Sequence, residues 1–247
     1  MSDAAWKELV AALAEDAASL AALHDRELTP ALVAALKEVG FPANLGLLPA
    51  TPAARDAWAL MGAAVAALPA APDPSDMDDL AAEYAAIYLT GAYGASPCES
   101  VWLDEDHLIC QGPMFALRER YAAKGLAAEN WRLRPDDHLV VQLSYLAHAL
   151  RAGRTDEDWR TLAEMLDMHL LRWLPDFAGR VAGRAALAFY AGLAVVTAAW
   201  CDALRDILAA RLDEPRPTPE DIAARGARPR EPEPVPVAFV PGTGPGW

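Results

Sequence analysis

Leucines recur along the middle of the chain at the spacing of one face of an α-helix. They stand at i, i+4, i+7 and i+11, at Leu139, Leu143, Leu146 and Leu150. Such a stripe is typical of a helix that buries one side. A polar stripe at the same spacing runs beside it and contains His138, Gln142 and Tyr145. Pro135 precedes Asp136 and Asp137, and this order predicts a helix start at which the aspartates accept hydrogen bonds from free N–H groups.

The same periodicity predicts helices on both sides, with caps, proline or glycine at most of their ends. They are expected over about residues 3–24, 30–40, 52–68, 76–89, 113–121, 155–173 and 176–212. Pro175 is expected to end the helix before it. The segment that follows is apolar on most sides, so we expect the longest and most central helix there. No alternating strand pattern persists, and the predicted fold class is all-α.

Two stretches break this pattern. Residues 90–112 hold three glycines and a Pro-Cys-Glu-Ser turn, and irregular segments of this length in compact domains are often functional. From residue 213 the composition shifts, with 9 of the 20 prolines in the last 35 residues. We therefore expect one helical domain over 1–212 and an extended, proline-rich tail over 213–247, with one short helix at 220–225.

Charge limits the partners. Asp and Glu number 35 against 21 Lys and Arg, which gives a net charge of −14. An acidic surface of this size disfavours nucleic acid and anionic membranes and favours a basic partner. The longest uncharged run, residues 185–201, is at the short limit for crossing a bilayer, which takes about 20 residues. A buried helix is the better interpretation, and no stable membrane insertion is expected.

The three cysteines, Cys98, Cys110 and Cys201, show no C-x-x-C spacing, and an odd number without a paired framework favours a reducing compartment. The first twenty residues contain acids and lack the basic start and apolar run of a secretory signal. The expected location is the cytoplasm.

Five segments between residues 80 and 207 carry a family resemblance through their order. They are Leu80-x-x-Glu83-Tyr84-x-x-Ile87-Tyr88-Leu89-x-Gly91, Pro97-Cys98-Glu99-Ser100-Val101-Trp102, Tyr121-x-x-x-Gly125, Pro135-Asp136-Asp137-His138-Leu139, and His169-x-x-x-Trp173-x-Pro175-x-Phe177. Together they resemble the TorD/DmsD family of chaperones for molybdenum enzymes, within the nitrate reductase delta-like superfamily. Gln142 stands where that family usually has a glutamate, and Cys98 replaces an aromatic residue.

The resemblance implies a TorD-like helical bundle that is a chaperone and not an enzyme, with no cofactor or metal. Such proteins bind the twin-arginine signal peptide of an apo-molybdoenzyme precursor in the cytoplasm, assist cofactor insertion and delay export. The protein is expected to be a monomer or a homodimer.

A twin-arginine leader is basic at its start and apolar afterwards, so its receptor needs carboxylates at one end and apolar or aromatic walls. The predicted signal-peptide-binding residues are Glu99, Asp136, Asp137, His138, Gln142, Tyr84, Tyr88, Trp102 and Tyr121. Carboxylates suit guanidinium because they accept its parallel N–H donors. Simpler roles compete: Asp136 is typical of a helix cap, His138 of a structural histidine, and Tyr84 and Tyr88 of core packing.

Two alternatives remain open at this point. One is a chaperone of the nitrate reductase assembly type, NarJ-like, acting on a membrane-bound client. The other is a small-molecule enzyme that uses Asp137 and His138. The five histidines never form H-x-x-x-H or H-E-x-x-H, and neither a G-x-S-x-G segment nor a phosphate-binding glycine loop occurs, so zinc, hydrolase and nucleotide chemistry lack their usual signals.

Overall fold

Helices make up most of the chain in the computed structural model, which describes residues 2–226. The α-helices are α1 (Asp3–Asp25), α2 (Pro30–Val39), α3 (Pro52–Ala67), α4 (Pro74–Tyr84), α5 (Ser100–Leu103), α6 (Gly112–Ala122), α7 (Leu139–Ala152), α8 (Asp156–Met165), α9 (Leu171–Ala182), α10 (Ala188–Leu212) and α11 (Pro219–Gly226). Two π-helical turns, Ala85–Leu89 and Leu166–Leu170, follow α4 and α8 directly. The predicted all-α class is confirmed, since residues 2–226 contain no β-strand.

Local cap chemistry sets several of the helix starts. The hydroxyls of Thr29, Thr51 and Thr155 accept backbone N–H bonds at 3.2, 3.1 and 3.2 Å at the first turns of α2, α3 and α8. Thr155 and Asp158 form a reciprocal capping box. The predicted starts of these three helices are confirmed. They could be predicted because each capping hydroxyl lies within four residues of the N–H group that it binds.

Pro175 does not end a helix, contrary to the prediction. It lies inside α9, which continues to Ala182. A proline in a helix interior costs about 3 kcal/mol. Here α9 buries Trp173, Leu174 and Phe177 completely, and full burial of each such side chain contributes about 1.5–3 kcal/mol. Packing therefore outweighs the lost backbone hydrogen bond.

The long helix predicted over 176–212 is two helices, α9 and α10, separated by residues 183–187. The N-cap residue of α10 is Leu187, which has no side chain able to accept a hydrogen bond. Glu83 of α4 supplies the acceptor instead: its carboxylate binds Ala186 N at 2.5 Å and Leu187 N at 2.9 Å. The sequence around residues 183–187 does not reveal this break, because the carboxylate that stabilises it lies about 100 residues earlier in the chain.

The central helix α7 also starts differently from the prediction. His138 is the N-cap, and its Nδ1 accepts a bond from Val140 N at 3.1 Å. Asp136 and Asp137 stand ahead of it and bind other elements. The expectation that these two aspartates cap α7 is therefore wrong.

The core forms around α10, which packs against α3 and α9, while α1 packs along α7. Its largest fully buried side chains are Trp173, Trp200, Tyr190, Phe177 and Phe189. Asp16 of α1 joins these layers because its carboxylate accepts bonds from Gly46 N, Leu47 N and Trp200 Nε1 at 2.9, 3.0 and 3.0 Å.

The chain divides into two units, Met1–Arg216 and Pro217–Trp247. The described part of the second unit contains α11, which confirms the short helix predicted near 220–225. The extended tail predicted after it falls on residues 227–247, outside the described residues. Among the helices of residues 2–226, none combines the length and apolarity needed to cross a bilayer.

Candidate functional site

Two of the sequence motifs meet as a short antiparallel bridge between Cys98 and His138. Leu139 N donates to Pro97 O at 2.7 Å, and Glu99 N donates to Asp137 O at 3.1 Å. The Pro-Cys-Glu-Ser turn is thereby fixed against the start of α7. Segments separated by about forty residues in sequence thus form one local structure.

Asp137 holds the start of α5. Its Oδ2 accepts a bond from Ser100 N at 2.8 Å, while Oδ1 is buried without a hydrogen-bond partner in the described residues. Burial raises the pKa of Asp137, against the hydrogen bonds from Ser100 that lower it. This carboxyl therefore acts as a cap for α5 rather than for α7.

Glu99 is the centre of a buried polar cluster. Its Oε1 lies 2.8 Å from His169 Nδ1 in the π-turn before α9, and its Oε2 accepts a bond from Gln142 Nε2 at 3.0 Å. Gln142 Nε2 also donates to Asp137 O at 2.9 Å. Burial raises the pKa of Glu99, although the bond to His169 opposes this shift. We call Glu99, Asp137, Gln142 and His169 the motif cluster; it links α5, α7 and the start of α9.

Asp136 is paired with an arginine of α6. Arg118 Nη2 and Nε reach its Oδ2 at 2.7 and 3.1 Å, and Tyr121 OH donates to its backbone carbonyl at 3.1 Å. The Arg118 guanidinium also lies over the rings of Trp131 and Phe115, at 4.5 and 5.6 Å from their centroids. The ion pair thereby links buried Asp136 to exposed aromatic side chains.

Tyr84 and Tyr88 bind the end of α1, and Tyr84 OH donates to Asp25 O at 2.8 Å. His138 lies close enough to His24 for their charges to interact. His24 Nδ1 lies 2.5 Å from Tyr88 OH, and His24 Nε2 lies 2.9 Å from Thr197 Oγ1. Thr197 donates its own proton to Leu193 O at 2.7 Å, so His24 carries its proton on Nε2 and accepts from Tyr88. Burial lowers the pKa of both His24 and His138 to about 3, so both are neutral near pH 7.

Most of the predicted binding residues lie in the interior. Less than a tenth of the surface is exposed at Tyr84, Tyr88, Glu99, Tyr121, Asp136, Asp137, His138 and Gln142. Trp102 is half-buried; its Nε1 donates to Ser96 O at 2.8 Å, and Arg180 lies 5.5 Å from its ring centroid. The structure brings the residues together but does not line an open groove with them. Direct contact with a client stays a prediction.

The exposed chemistry beside the motif cluster lies on residues 104–111, which we call the rim loop. It carries the exposed acids Glu105 and Asp106 and, after His107, exposed Leu108 and Ile109. Neither acid forms an ion pair with another described residue. These residues are absent from the predicted binding set, although the sequence signals them by an Asp-Glu-Asp run, a histidine and then Leu-Ile inside the irregular stretch.

The motif cluster holds the rim loop in place. Ser100, whose backbone N–H binds Asp137, accepts a bond from Gln111 N at 3.2 Å through its hydroxyl. His107 Nδ1 donates to Val101 O of α5 at 2.9 Å. His107 and Cys110 have φ angles of 54° and 59°, a left-handed conformation that non-glycine residues rarely adopt. The surrounding hydrogen bonds thus maintain an unusual backbone, as is common at functional sites.

Exposed apolar side chains are concentrated in the rim loop and in the thirty residues that follow its start. Among the described residues, five of the nine exposed large hydrophobic side chains lie between positions 108 and 133: Leu108, Ile109, Phe115, Trp131 and Leu133. We call these five the apolar patch. Next to it, Arg134 pairs with the Asp25 carboxylate at the end of α1. Phe115 and Trp131 both lie against the Arg118 guanidinium, and exposed apolar side chains that come together are typical of an interaction site.

Comparison with known proteins decides the family. The profile described as nitrate reductase delta subunit matches residues 50–179, more than half of the chain and a range that contains all nine predicted binding residues. The chain belongs to this family.

Curated relatives of this chain include proteins named "Chaperone protein TorD". One from Vibrio cholerae serotype O1 is 32% identical over 124 residues, which cover 47% of this chain and 56% of that protein. One from Vibrio parahaemolyticus is 27% identical over 131 residues, covering 50% and 61%. One from Shewanella loihica is 31% identical over 145 residues, covering 53% and 65%. The chain thus spans little more than half the length of the first of these relatives. The TorD/DmsD resemblance is confirmed.

Among the described residues, the side chains show neither a metal-ligand cluster nor an activated thiol at Cys110. Within residues 2–226, no group of three or more His, Cys, Asp or Glu side chains is arranged to hold a metal ion. Cys110 lies close enough to Asp137 to interact with its charge, and both burial and that carboxylate raise the pKa of the thiol. This disfavours the thiolate that a nucleophilic cysteine needs.

Proposed function

We propose that this protein is a chaperone, not an enzyme, for a molybdoenzyme. It binds the twin-arginine signal peptide of the enzyme's precursor in the cytoplasm, assists cofactor insertion and delays export. The observation that carries this proposal is the family match over residues 50–179, together with relatives named as TorD chaperones. Signal-peptide binding itself is implied by the family resemblance of the motifs.

The rim loop has the chemistry that such a leader requires. Glu105 and Asp106 offer exposed carboxylates to the arginines, and Leu108 and Ile109 offer apolar surface to the residues after them. Phe115 and Trp131 extend the apolar surface on either side of Arg118. Acids followed by apolar side chains match a peptide that is basic and then apolar.

The motif cluster acts in this proposal by positioning the rim loop. Asp137 fixes Ser100, Ser100 binds Gln111, and Gln142 connects Asp137 with Glu99. A buried network of this kind keeps the exposed acids in one place and so reduces the ordering entropy lost on binding. The nine residues predicted from sequence then contribute to binding mainly through the geometry of the surface.

The test is binding of fluorescently labelled leader peptides from the host's molybdoenzymes, measured by anisotropy. We expect saturable binding to the purified chain for one leader, weakened about fivefold to tenfold by Glu105→Gln with Asp106→Asn. The control is Asp78→Asn with Asp79→Asn, two exposed acids of α4 that change the net charge equally. If no leader binds, the proposed function is wrong; if leaders bind both double variants alike, only the site is wrong.

A nitrate-reductase-assembly chaperone, NarJ-like, is the second candidate, and the description of the matching family favours it. The difference lies in the client: such a chaperone binds the N-terminus of a membrane-bound enzyme that lacks paired arginines. Capture of the client from host cytosol, followed by sequencing of its N-terminus, separates the two. Paired arginines in that N-terminus would exclude the second candidate.

A further inference from the structure

An apolar groove runs between α10 and the start of α3. Its volume is about 420 Å³, and small side chains form most of its walls. On α10 the wall is a stripe at helical spacing that includes Val195, Ala199, Ala203 and Ile207. On the other side of the groove, Ala54 and Ala57 are buried, while Leu48 at its border is 78% exposed. Alanine walls let another backbone approach closely, so the groove is shaped for a polypeptide segment.

The groove has acids along its α10 edge. Asp202 and Asp206 are one helical turn apart beside the apolar stripe, with 54% and 50% of their side chains exposed. Arg216, which follows the end of α10, places its Nη1 2.7 Å from Asp202 Oδ1 and 3.1 Å from Asp206 Oδ1. The two carboxylates therefore already bind one guanidinium group of this chain.

The bound arginine is easily displaced. Both contacts use the single nitrogen Nη1, so the bidentate geometry of a strong arginine–carboxylate pair is not formed. Ion pairs with carboxylates this exposed contribute about 0–1 kcal/mol. A guanidinium on a segment whose apolar residues fill the groove also gains the free energy of burying those residues. Arg216 does not have this contribution.

We propose that this groove docks an arginine-bearing apolar segment of a partner protein, and that Arg216 occupies the acidic edge until the partner replaces it. The groove is separate from the rim loop. Its α10 residues lie opposite Thr197, whose side chain faces the core and His24. The inference therefore does not rest on the proposed leader-binding surface.

The probe is a labelled synthetic peptide in which one arginine precedes a run of leucine and alanine, long enough to follow the wall from Val195 to Ala210, about 22 Å. Neutralising the edge with Asp202→Asn and Asp206→Asn is expected to weaken binding about fivefold. Leu48→Ala is expected to weaken it about threefold by removing apolar contact. Asp78→Asn with Asp79→Asn, and Leu60→Ala, are the matched controls because they lie outside the groove.

Arg216→Ala supplies a change in the opposite direction. Removal of the internal competitor is expected to tighten peptide binding about threefold, whereas Arg172→Ala, an exposed arginine elsewhere, is not. In a chain that already carries Glu105→Gln and Asp106→Asn in the rim loop, Arg216→Ala is expected to tighten binding by the same factor, because no rim-loop residue lines the groove. Hydrogen exchange then shows whether residues 195–210 become protected when peptide is added.

The proposal is overturned if the affinity for the peptide is the same as wild type in all three variants: Asp202→Asn with Asp206→Asn, Leu48→Ala, and Arg216→Ala. It is also overturned by dimerisation of the chain alone that the edge variants abolish, because a second copy would then be the occupant. Thermal unfolding of each variant verifies that folding is retained, which we expect because the substituted side chains are substantially exposed.

Discussion

His138 shows how burial changes the role of a motif residue. Its ring nitrogen caps α7 through Val140 N, and desolvation lowers its pKa to about 3. An imidazole in this state neither carries a charge near neutral pH nor donates from Nδ1. Its contribution is to fix the start of α7 against the Pro-Cys-Glu-Ser turn.

The lowered pKa of His138 predicts acid sensitivity. The unfolded chain protonates this histidine near pH 6.5 and the folded chain only near 3, so the unfolded state binds more protons between these values. Stability is therefore present above pH 6.5 and is lost as pH falls, by about 2 kcal/mol at about pH 5. His138→Asn keeps a capping side chain without a titrating group. Its unfolding free energy, from urea denaturation, should fall correspondingly less than the wild-type value over this range; an identical fall contradicts the assignment.

Asp137 is predicted to matter more for the rim loop than for the fold as a whole. Asp137→Ala leaves Ser100 N without its acceptor, which destabilises the protein by about 1–3 kcal/mol. Hydrogen exchange of residues 104–111 should accelerate more than that of α10. The exposed control Asp79→Ala should change neither. Uniform acceleration throughout the domain would mean that Asp137 has no special connection to the loop.

At the scale of helices, the sequence predicts those boundaries that are set by residues close together in the chain. Thr29, Thr51 and Thr155 marked helix starts because each cap and its donor are close in sequence. The prediction that Pro175 ends a helix was wrong because burial of the aromatic residues of α9 outweighs the one missing backbone hydrogen bond. The turn before α10 was missed because Glu83 is distant in sequence.

The candidate site was likewise predictable only in part. The motifs identified residues that do come together, including Glu99 with His169 and Asp137 with Ser100. Sequence order alone did not show that they are buried, since burial depends on how α5 and α7 pack. The acidic run that contains Glu105 and Asp106 was visible in the sequence, but only the structure shows these acids exposed on a loop that is hydrogen-bonded to Ser100 beside the motif cluster.

Two helical glycines, one at the contact between α3 and α10 and one on the surface of α9, are predicted to respond to substitution in opposite directions. A Cβ at Gly192 would lie 3.1 Å from Met61 Cα, so Gly192→Leu should destabilise by about 1–3 kcal/mol. A Cβ at Gly179 in α9 would meet no other atom within 4 Å, so Gly179→Ala should stabilise by about 0.5–1 kcal/mol. Thermal unfolding of the two variants measures both signs, and destabilisation by Gly179→Ala would contradict this account of the α9 surface.

At the scale of the whole molecule, the net charge of −14 affects encounter more than the bound complex. A basic peptide is attracted over distances comparable to the Debye length, which is about 10 Å at 0.1 M salt. The partly exposed acids of the rim loop and of the groove edge add local attraction to this general field.

This charge predicts a salt-dependent association rate. Stopped-flow binding of an arginine-bearing peptide should slow about tenfold between about 0.01 M and 0.15 M ionic strength, with a smaller change in the dissociation rate. A peptide with glutamine in place of its arginines is the control and should show little dependence. A rate that is independent of salt for both peptides would mean that the net charge does not steer binding.

The bond between Glu83 and the start of α10 has a consequence for synthesis on the ribosome. The carboxylate is made about 100 residues before the N–H groups that it binds, and α10 supplies Trp200 and Tyr190 to the core. Until α10 has emerged, α3 and α9 lack the helix against which they pack. Ribosome-bound chains that end before α10 should therefore be digested readily by protease, and those that include it should resist. A protein proposed to protect an unfinished enzyme thus passes through an exposed, unfinished state of its own until almost its whole helical domain has been translated.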